Sequence, residues 1–204
     1  MFIPSHFLIQ DDEELYQMIE EYGFATLFSL NEGEPTATQI PLMMNEDRKY
    51  LYGHFARSNP QWKDINQQRI LAIFNGPHCY ISPSWYETNR AVPTWNYVTV
   101  HVYGHVELVE GKELEDSLKE LVLKYEGSDS SYQLDEVESK YMEAQTKGVV
   151  GFKIKIDKME GKAKLSQNHP QKRQRLIIQE LEQSGREDEQ KIASYMKRNL
   201  EAKK

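Results

Sequence analysis

Three stretches of the chain gather residues whose types and spacing could do chemistry. The first is Gly53-His54-Phe55-Ala56-Arg57-Ser58-Asn59-Pro60-Gln61-Trp62. Ser58 or Asn59 suits a helix N-cap, and Pro60 suits the first helical position. A helix start exposes unpaired backbone N–H groups and the positive end of its dipole, so it attracts anions. Arg57, directly before that start, can add a bidentate contact, and together these make a candidate phosphate pocket. The same residues also read as an ordinary cap with Arg57 solvated or paired to an acid. The second stretch runs from Gly76 to Tyr86 and resumes at Val92-Pro93-Thr94-Trp95-Asn96-Tyr97. It crowds Tyr80, Trp85, Tyr86, Trp95 and Tyr97 into 18 residues punctuated by prolines. Such a loop builds a flat-walled site for a planar ring, a dimer interface, or a satellite apolar cluster. The third, Gly161-Lys162-Ala163-Lys164-Leu165-Ser166-Gln167-Asn168, supplies cations and amide or hydroxyl groups at a strand end. It reads equally as a polar linker.

Other chemistries are excluded by geometry. His101 and His105 have the four-residue spacing that chelates zinc on a helix, but they fall on a strand, where four residues span roughly 13 Å. Two ligands each about 2 Å from one zinc cannot sit so far apart. Cys79 follows His78, yet adjacent strand residues point to opposite faces, so no Cys/His nucleophile forms and Cys79 reads as a small buried apolar residue. Neither the P-loop nor the Rossmann fingerprint is present. No catalytic residue and no metal site is expected.

The elements that must position these residues follow from periodicity. Asp11 to Glu21 reads as a helix with acids at its start and Gly23 at its end. Phe24–Leu30, Thr36–Met44 and Lys49–Phe55 read as a meander with turns at Asn31-Glu32-Gly33-Glu34 and Asn45-Glu46-Asp47. A helix over Pro60–Gln67 and a strand over Ile70–Asn75 follow, and then an irregular segment, Gly76–Pro93. Tyr97–Leu108 alternates strictly, with Val98, Val100, Val102, Val106 and Leu108 on one face. Gly111–Glu126 and Leu134–Thr146 read as helices, and Gly148–Met159 as a strand. Two further helices, Gln171–Gln183 and Glu187–Leu200, break at Ser184-Gly185. About six antiparallel strands with peripheral helices, followed by a C-terminal α-helical hairpin, give an α+β β-barrel class. The expected division is 1–168 for the barrel and 169–204 for the helical extension.

The hydrophobic fraction of 39% supports a packed globule. No apolar run reaches the ~20 residues of a membrane span. The N-terminus lacks a secretory pattern and there is one cysteine, so a cytoplasmic location and no membrane partner are expected. The net charge is −7, which argues against the whole molecule clamping DNA. Residues 170–204 carry a net +3 and residues 1–169 a net −10. The basic tail is either a nucleic-acid contact or a salt-bridged amphipathic helix pair.

In order along the chain, five blocks resemble the PaiB family, described as FMN-binding negative transcriptional regulators. They are Met1-Phe2-Ile3-Pro4 through Phe7, Gly53 through Trp62, and Gly76-Pro77 with Tyr80 through Tyr86. The other two are Val92 through Tyr97 with Val100-His101 and Gly104, and Lys164 through Asn168. The resemblance implies an FMN-binding split β-barrel and a homodimer with the flavin site at its interface. It implies that Arg57, Ser58 and Asn59 hold the phosphate, and that Gln39 and His54 lie along the ring or ribityl chain. Trp95 and Asn96 would come from the interface loop, and Lys164, Ser166 and Gln167 from the last block. The implied function is repression of sporulation and protease synthesis, with the C-terminal helices as a candidate DNA contact; whether FMN is retained on purification stays open. The alternative is a flavin-dependent oxidoreductase acting on a small molecule, since the flavin carries the redox chemistry itself.

Overall fold

A computed structural model describes residues 1–127 and 130–201. Its elements are β1 (Leu8–Ile9), α1 (Asp12–Glu21), β2 (Phe24–Asn31), β3 (Glu34–Pro41), β4 (Met43–Met44), β5 (Tyr50–Ala56), β6 (Arg69–Ile81), β7 (Thr94–Val109), α2 (Gly111–Glu126), α3 (Ser139–Lys147), β8 (Val149–Lys164), α4 (Gln171–Gln183) and α5 (Glu187–Glu201). The hydrogen-bonded strand order is β3-β2-β6-β7-β8-β5-β4, with β1 paired to β8. The fold is therefore α+β on an antiparallel sheet, as the periodicity predicts. The described residues hold eight strands rather than about six, because β1 and β4 are two-residue segments too short to alternate visibly.

The chain divides into two compact units, Ile19–Phe74 with His101–Met159, and Met1–Met18 with Asn75–Val100 and Glu160–Lys204. Strands β6, β7 and β8 each contribute residues to both. In the first unit the inward positions alternate along β2 and β5, and Leu27, Leu51, Phe55, Phe74, Phe152 and Ile154 are fully buried. Phe55 and Phe152 stack with ring centroids 4.8 Å apart. In the second unit Leu15 and Met18 of α1 share a core with Ile81, Val98 and Leu165, and Ile177, Leu181, Ile192 and Met196 of α4 and α5 are also buried.

Local chemistry accounts for the joints. Asp11 caps α1 by accepting the Glu13 N–H at 3.0 Å, and Asp12, Glu13 and Glu14 stand in its first turn, where the helix dipole favours negative charge. The β2–β3 hairpin turns on Glu32 and Gly33, both at positive φ (53° and 82°), the backbone required by a two-residue hairpin matching the strand twist. Gly23 is not a left-handed helix cap as expected. It is buried, and a Cβ there would lie 2.9 Å from the Tyr125 hydroxyl and 3.2 Å from the Leu42 carbonyl. Close approach, rather than φ, selects glycine.

Other boundaries differ from expectation for one reason, which is that strand pairing outlasts side-chain alternation. β6 continues to Ile81 through a segment read as irregular, and β8 continues to Lys164. Conversely, Leu134–Thr146 is not one helix; a 3₁₀ turn at Leu134–Glu136 precedes α3.

Gly104 is the tightest approach in the sheet, where a Cβ would stand 2.2 Å from the Lys155 carbonyl oxygen and 2.7 Å from Ile154 Cγ2. Gly104→Ala is expected to lower unfolding free energy by roughly 2–3 kcal/mol in urea denaturation. Gly185→Ala, whose Cβ meets nothing within 4 Å, serves as the neutral control; equal midpoints for the two variants would refute the packing argument.

Candidate functional site

The residues singled out from sequence fall into two groups, one in each compact unit. In the first unit, Arg57 follows the end of β5. Its backbone N–H donates to the Gly148 carbonyl at 2.8 Å. Its side chain donates from Nε to Lys147 O at 2.6 Å and from Nη2 to Val149 O at 2.8 Å. The guanidinium is thus aimed by backbone carbonyls and keeps its Nη1 donors for another acceptor. Ser58 beside it is exposed, and its hydroxyl has no hydrogen-bond partner among the described residues.

Asn59 is the cap: its Oδ1 accepts the Gln61 N–H at 3.0 Å, and its Nδ2 donates to Thr38 Oγ1 at 3.0 Å. The helix it caps corrects the sequence reading. It is a single 3₁₀ turn over Pro60–Lys63, not a helix over Pro60–Gln67. Strand β7 claims the backbone beyond it: the Gln67 N–H donates to Val106 O at 2.7 Å, and the Val106 N–H to Gln68 O at 3.1 Å. One turn carries little dipole, so anion affinity here rests on Arg57 and Ser58.

Gln39 lies exposed on β3, opposite Thr26 of β2. That sheet face is apolar and open, with Phe24 65% and Leu30 51% exposed, Phe28 beside them, and Leu71 of β6 paired to Phe28. His54 is half-buried on β5, and burial pulls its pKa below the ordinary imidazole value by disfavouring the charged ring.

In the second unit, Trp95 opens β7 with 53% of its surface exposed. Its ring centroid is 6.0 Å from that of Tyr80 and 6.2 Å from that of His78, so it offers a flat apolar wall. Lys164 donates to Thr94 Oγ1 and to the Trp95 carbonyl, with no carboxylate partner among the described residues. Burial, and secondarily the neighbouring charge of Lys162, lower its pKa.

Asn96, Ser166 and Gln167 behave differently, because their polar groups are engaged with the chain. Asn96 is fully buried; its Nδ2 donates to Ser166 Oγ at 3.0 Å and contacts Met196 Sδ at 3.6 Å. Ser166 donates back to Asn96 Oδ1 at 3.2 Å from a left-handed backbone, φ 63°. Gln167 accepts the Leu165 N–H at 2.7 Å and donates to Ala163 O at 2.6 Å, tying off the strand end.

Sequence reasoning missed the partners of the aromatic loop. Arg173 of α4 donates from Nη2 to Glu87 Oε1 at 2.8 Å and lies 4.8 Å over the Tyr86 ring. Both links are nonlocal and leave no local pattern. Cys79 is buried, and burial with the charges of Glu189 and Asp188 pushes its thiol up to about 12, an inert small side chain. Among the described residues no group of three His, Cys, Asp or Glu could hold a metal ion, and no helix is long and apolar enough to cross a membrane.

A family model described as "Putative FMN-binding domain" matches residues 1–158. The Bacillus subtilis (strain 168) protein named protease synthase and sporulation protein PAI 2 is 37% identical over 204 residues, covering 98% of each chain. The chain belongs to the PaiB family. Two solved structures share its fold at low identity. The flavocytochrome Anf3 of Azotobacter vinelandii gives a TM-score of 0.62 at 14% identity over 77% of this chain and 69% of that one. The FAD and heme binding protein of Mycobacterium smegmatis gives 0.60 at 13% identity over 77% and 73%. This PaiB-family fold is the flavin-binding split barrel.

The donors present fit a flavin nucleotide in two respects: Arg57 and Ser58 offer exposed donors for a phosphate, and Trp95 offers a wall for a planar ring. Within the second unit, the side chains of Asn96, Ser166 and Gln167 are bonded to the chain itself around Trp95 and the end of β8.

Lys164 gives a pH signature. Because its folded pKa lies below the 10.5 of a free lysine, the unfolded chain binds more protons in the interval between the two values. Stability therefore rises with pH across that interval. Relative to Lys164→Met, the wild type is expected to gain stability as pH climbs toward about 10 in chemical denaturation; a pH-independent difference would show that its neighbours fully compensate the ammonium.

Proposed function

We propose that the protein is an FMN-binding, homodimeric negative regulator of the sporulation and protease-synthesis type. Arg57 is the observation that carries the cofactor: two carbonyls fix its guanidinium, it retains free donors, and it adjoins a free serine hydroxyl. A preorganised, exposed pair of this kind suits a phosphate dianion. In this reading Arg57, Ser58 and Asn59 are the phosphate contacts and Gln39 and His54 contacts of the ribityl chain or ring, while Trp95 and Lys164, in the second compact unit, are the candidate contacts for a planar ring. Bound flavin supplies reversible electron acceptance; the chain's task is to orient it and exclude water.

The second copy is argued from the open face of β2, β3 and β6. Contiguous exposed phenylalanine and leucine are rare on monomers and mark interaction surfaces. Gln39 lies within that face, which supports a flavin site near the proposed interface. The regulatory role rests on the relative's name together with the PaiB resemblance.

Two measurements test this. Titration with FMN and with riboflavin, followed by flavin fluorescence, is expected to show that Arg57→Ala and Ser58→Ala each bind FMN more weakly than wild type. For Arg57→Ala the loss is about ten- to a hundredfold, with riboflavin affinity nearly unchanged. Equal loss for both ligands would mean that Arg57 acts only by bracing the α3–β8 junction. Separately, Phe28→Glu is expected to convert a dimer to a monomer by light scattering during size exclusion, with the circular dichroism spectrum retained. A dimer unaffected by that charge would move the interface elsewhere.

A further inference from the structure

The α4–α5 hairpin reaches the segments around Trp95 by three separate routes. From α4, Arg173 engages both carboxylate oxygens of Glu87, at 2.8 to 3.3 Å, and covers the Tyr86 ring at 4.8 Å. From the first turn of α5, Asp188 stands 3.7 Å from His78 Nδ1, whose ring neighbours Trp95. From the middle of α5, Met196 Sδ stands 3.6 Å from the amide nitrogen of buried Asn96. The loop between β6 and β7 is therefore held from α4, and the start of β7 from α5. Gln174 of α4 adds a bond from Nε2 to the His169 carbonyl at 2.7 Å, which fixes the turn after Ser166.

From these contacts we infer that Arg173 is a positioning residue for the ring wall, and that docking of the helical hairpin and occupancy of the flavin site are one linked equilibrium. This rests on the flavin reading above. The physical argument is reciprocity: a ligand that requires the loop and Trp95 in one arrangement stabilises whatever holds that arrangement, and the hairpin favours the ligand by the same factor. The Glu87–Arg173 pair suits a latch. Its side chains are only 26% and 15% exposed, its geometry is forked, and Glu87 and Arg173 shift one another's pKa in the directions of a formed pair. The hairpin thereby becomes the part of the chain that reports whether flavin is bound.

Amide hydrogen exchange on the full-length protein, with and without FMN, reads this directly. In the wild type, FMN is expected to slow exchange in α4 and α5 at least roughly fivefold. Glu87→Gln, a shape-preserving change, and Arg173→Ala are each expected to weaken FMN binding roughly five- to tenfold and to lose the FMN-dependent protection. The exchanged pair Glu87→Arg with Arg173→Glu is expected to recover both, an outcome that a general folding defect would not produce. Wild type that binds FMN with unchanged exchange in α4 and α5, or Glu87→Gln that binds FMN as tightly as wild type, overturns the inference alone. Folded wild type that binds no FMN overturns the flavin reading and this inference together.

Discussion

A carboxamide removed from water must find partners for its donors and acceptor, since an unmade hydrogen bond on a buried polar group costs about 1–3 kcal/mol. Two fully buried carboxamides, Gln61 in one compact unit and Asn96 in the other, impose that constraint on the segments that matter. Gln61 Nε2 donates to Leu27 O at 3.3 Å and Ser29 Oγ at 2.8 Å, while its Oε1 accepts from Thr38 Oγ1 at 2.5 Å. Its backbone N–H is taken by Asn59. One residue thus locks β2, β3 and the loop carrying Arg57 and Ser58. Asn96 does the same for Trp95, the turn at Ser166 and α5.

Within each unit, candidate residues whose side chains are committed to the chain separate from those that stay exposed. Asn59, Asn96, Ser166 and Gln167 have committed side chains, and removing one of them would disturb the frame before any ligand contact. Arg57 is intermediate, because two of its donors brace Lys147 and Val149 while the rest are free. Ser58, Gln39 and Trp95 are uncommitted and exposed. A ligand arriving at Arg57 therefore meets a group that is already oriented, and little side-chain entropy remains to be lost on binding. The left-handed Ser166 fits the same logic. A non-glycine residue there costs of order 1 kcal/mol, and its reciprocal bonds with the Asn96 amide help hold it in place.

Much of the fold was legible because alternation and turn chemistry are local. The inward valines of β7 and the Glu32-Gly33 turn could be read from spacing alone, as could the break at Ser184-Gly185. What escaped was set by distant partners. The Pro60–Gln67 segment has a good cap and a proline start, yet β7 takes its backbone hydrogen bonds and leaves one 3₁₀ turn. Gly23 resembles a helix stop but is selected by the Leu42 carbonyl and by the hydroxyl of Tyr125, about a hundred residues further along the chain. The candidate residues could be named as blocks through family resemblance. Which of them are committed and which exposed could not be read, because commitment to Thr38, Met196 or Lys147 leaves no local trace.

The charge of the hairpin bears on whether it could contact nucleic acid. Of its cations, Arg173 pairs with Glu87, Arg186 with Glu189 at 3.3 Å, Lys191 with Glu187 at 3.0 Å, and Lys197 with Glu182. The three exposed pairs, those of Arg186, Lys191 and Lys197, contribute under about 1 kcal/mol each, so a phosphate could displace their partner carboxylates at small cost. The carboxylates would remain nearby, however, and Glu187, Asp188 and Glu189 crowd the first turn of α5, where the helix dipole would otherwise favour phosphate. Counterion release scales with the phosphates actually neutralised, and the three described cations outside such pairs, Lys172, Arg175 and Arg198, are too few to anchor a duplex on one hairpin. Meanwhile the apolar sides of α4 and α5 are already buried. A helical pair with its apolar face spent inward and most of its described cations paired with carboxylates is suited to docking against the loops it contacts, and so to responding to what those loops hold.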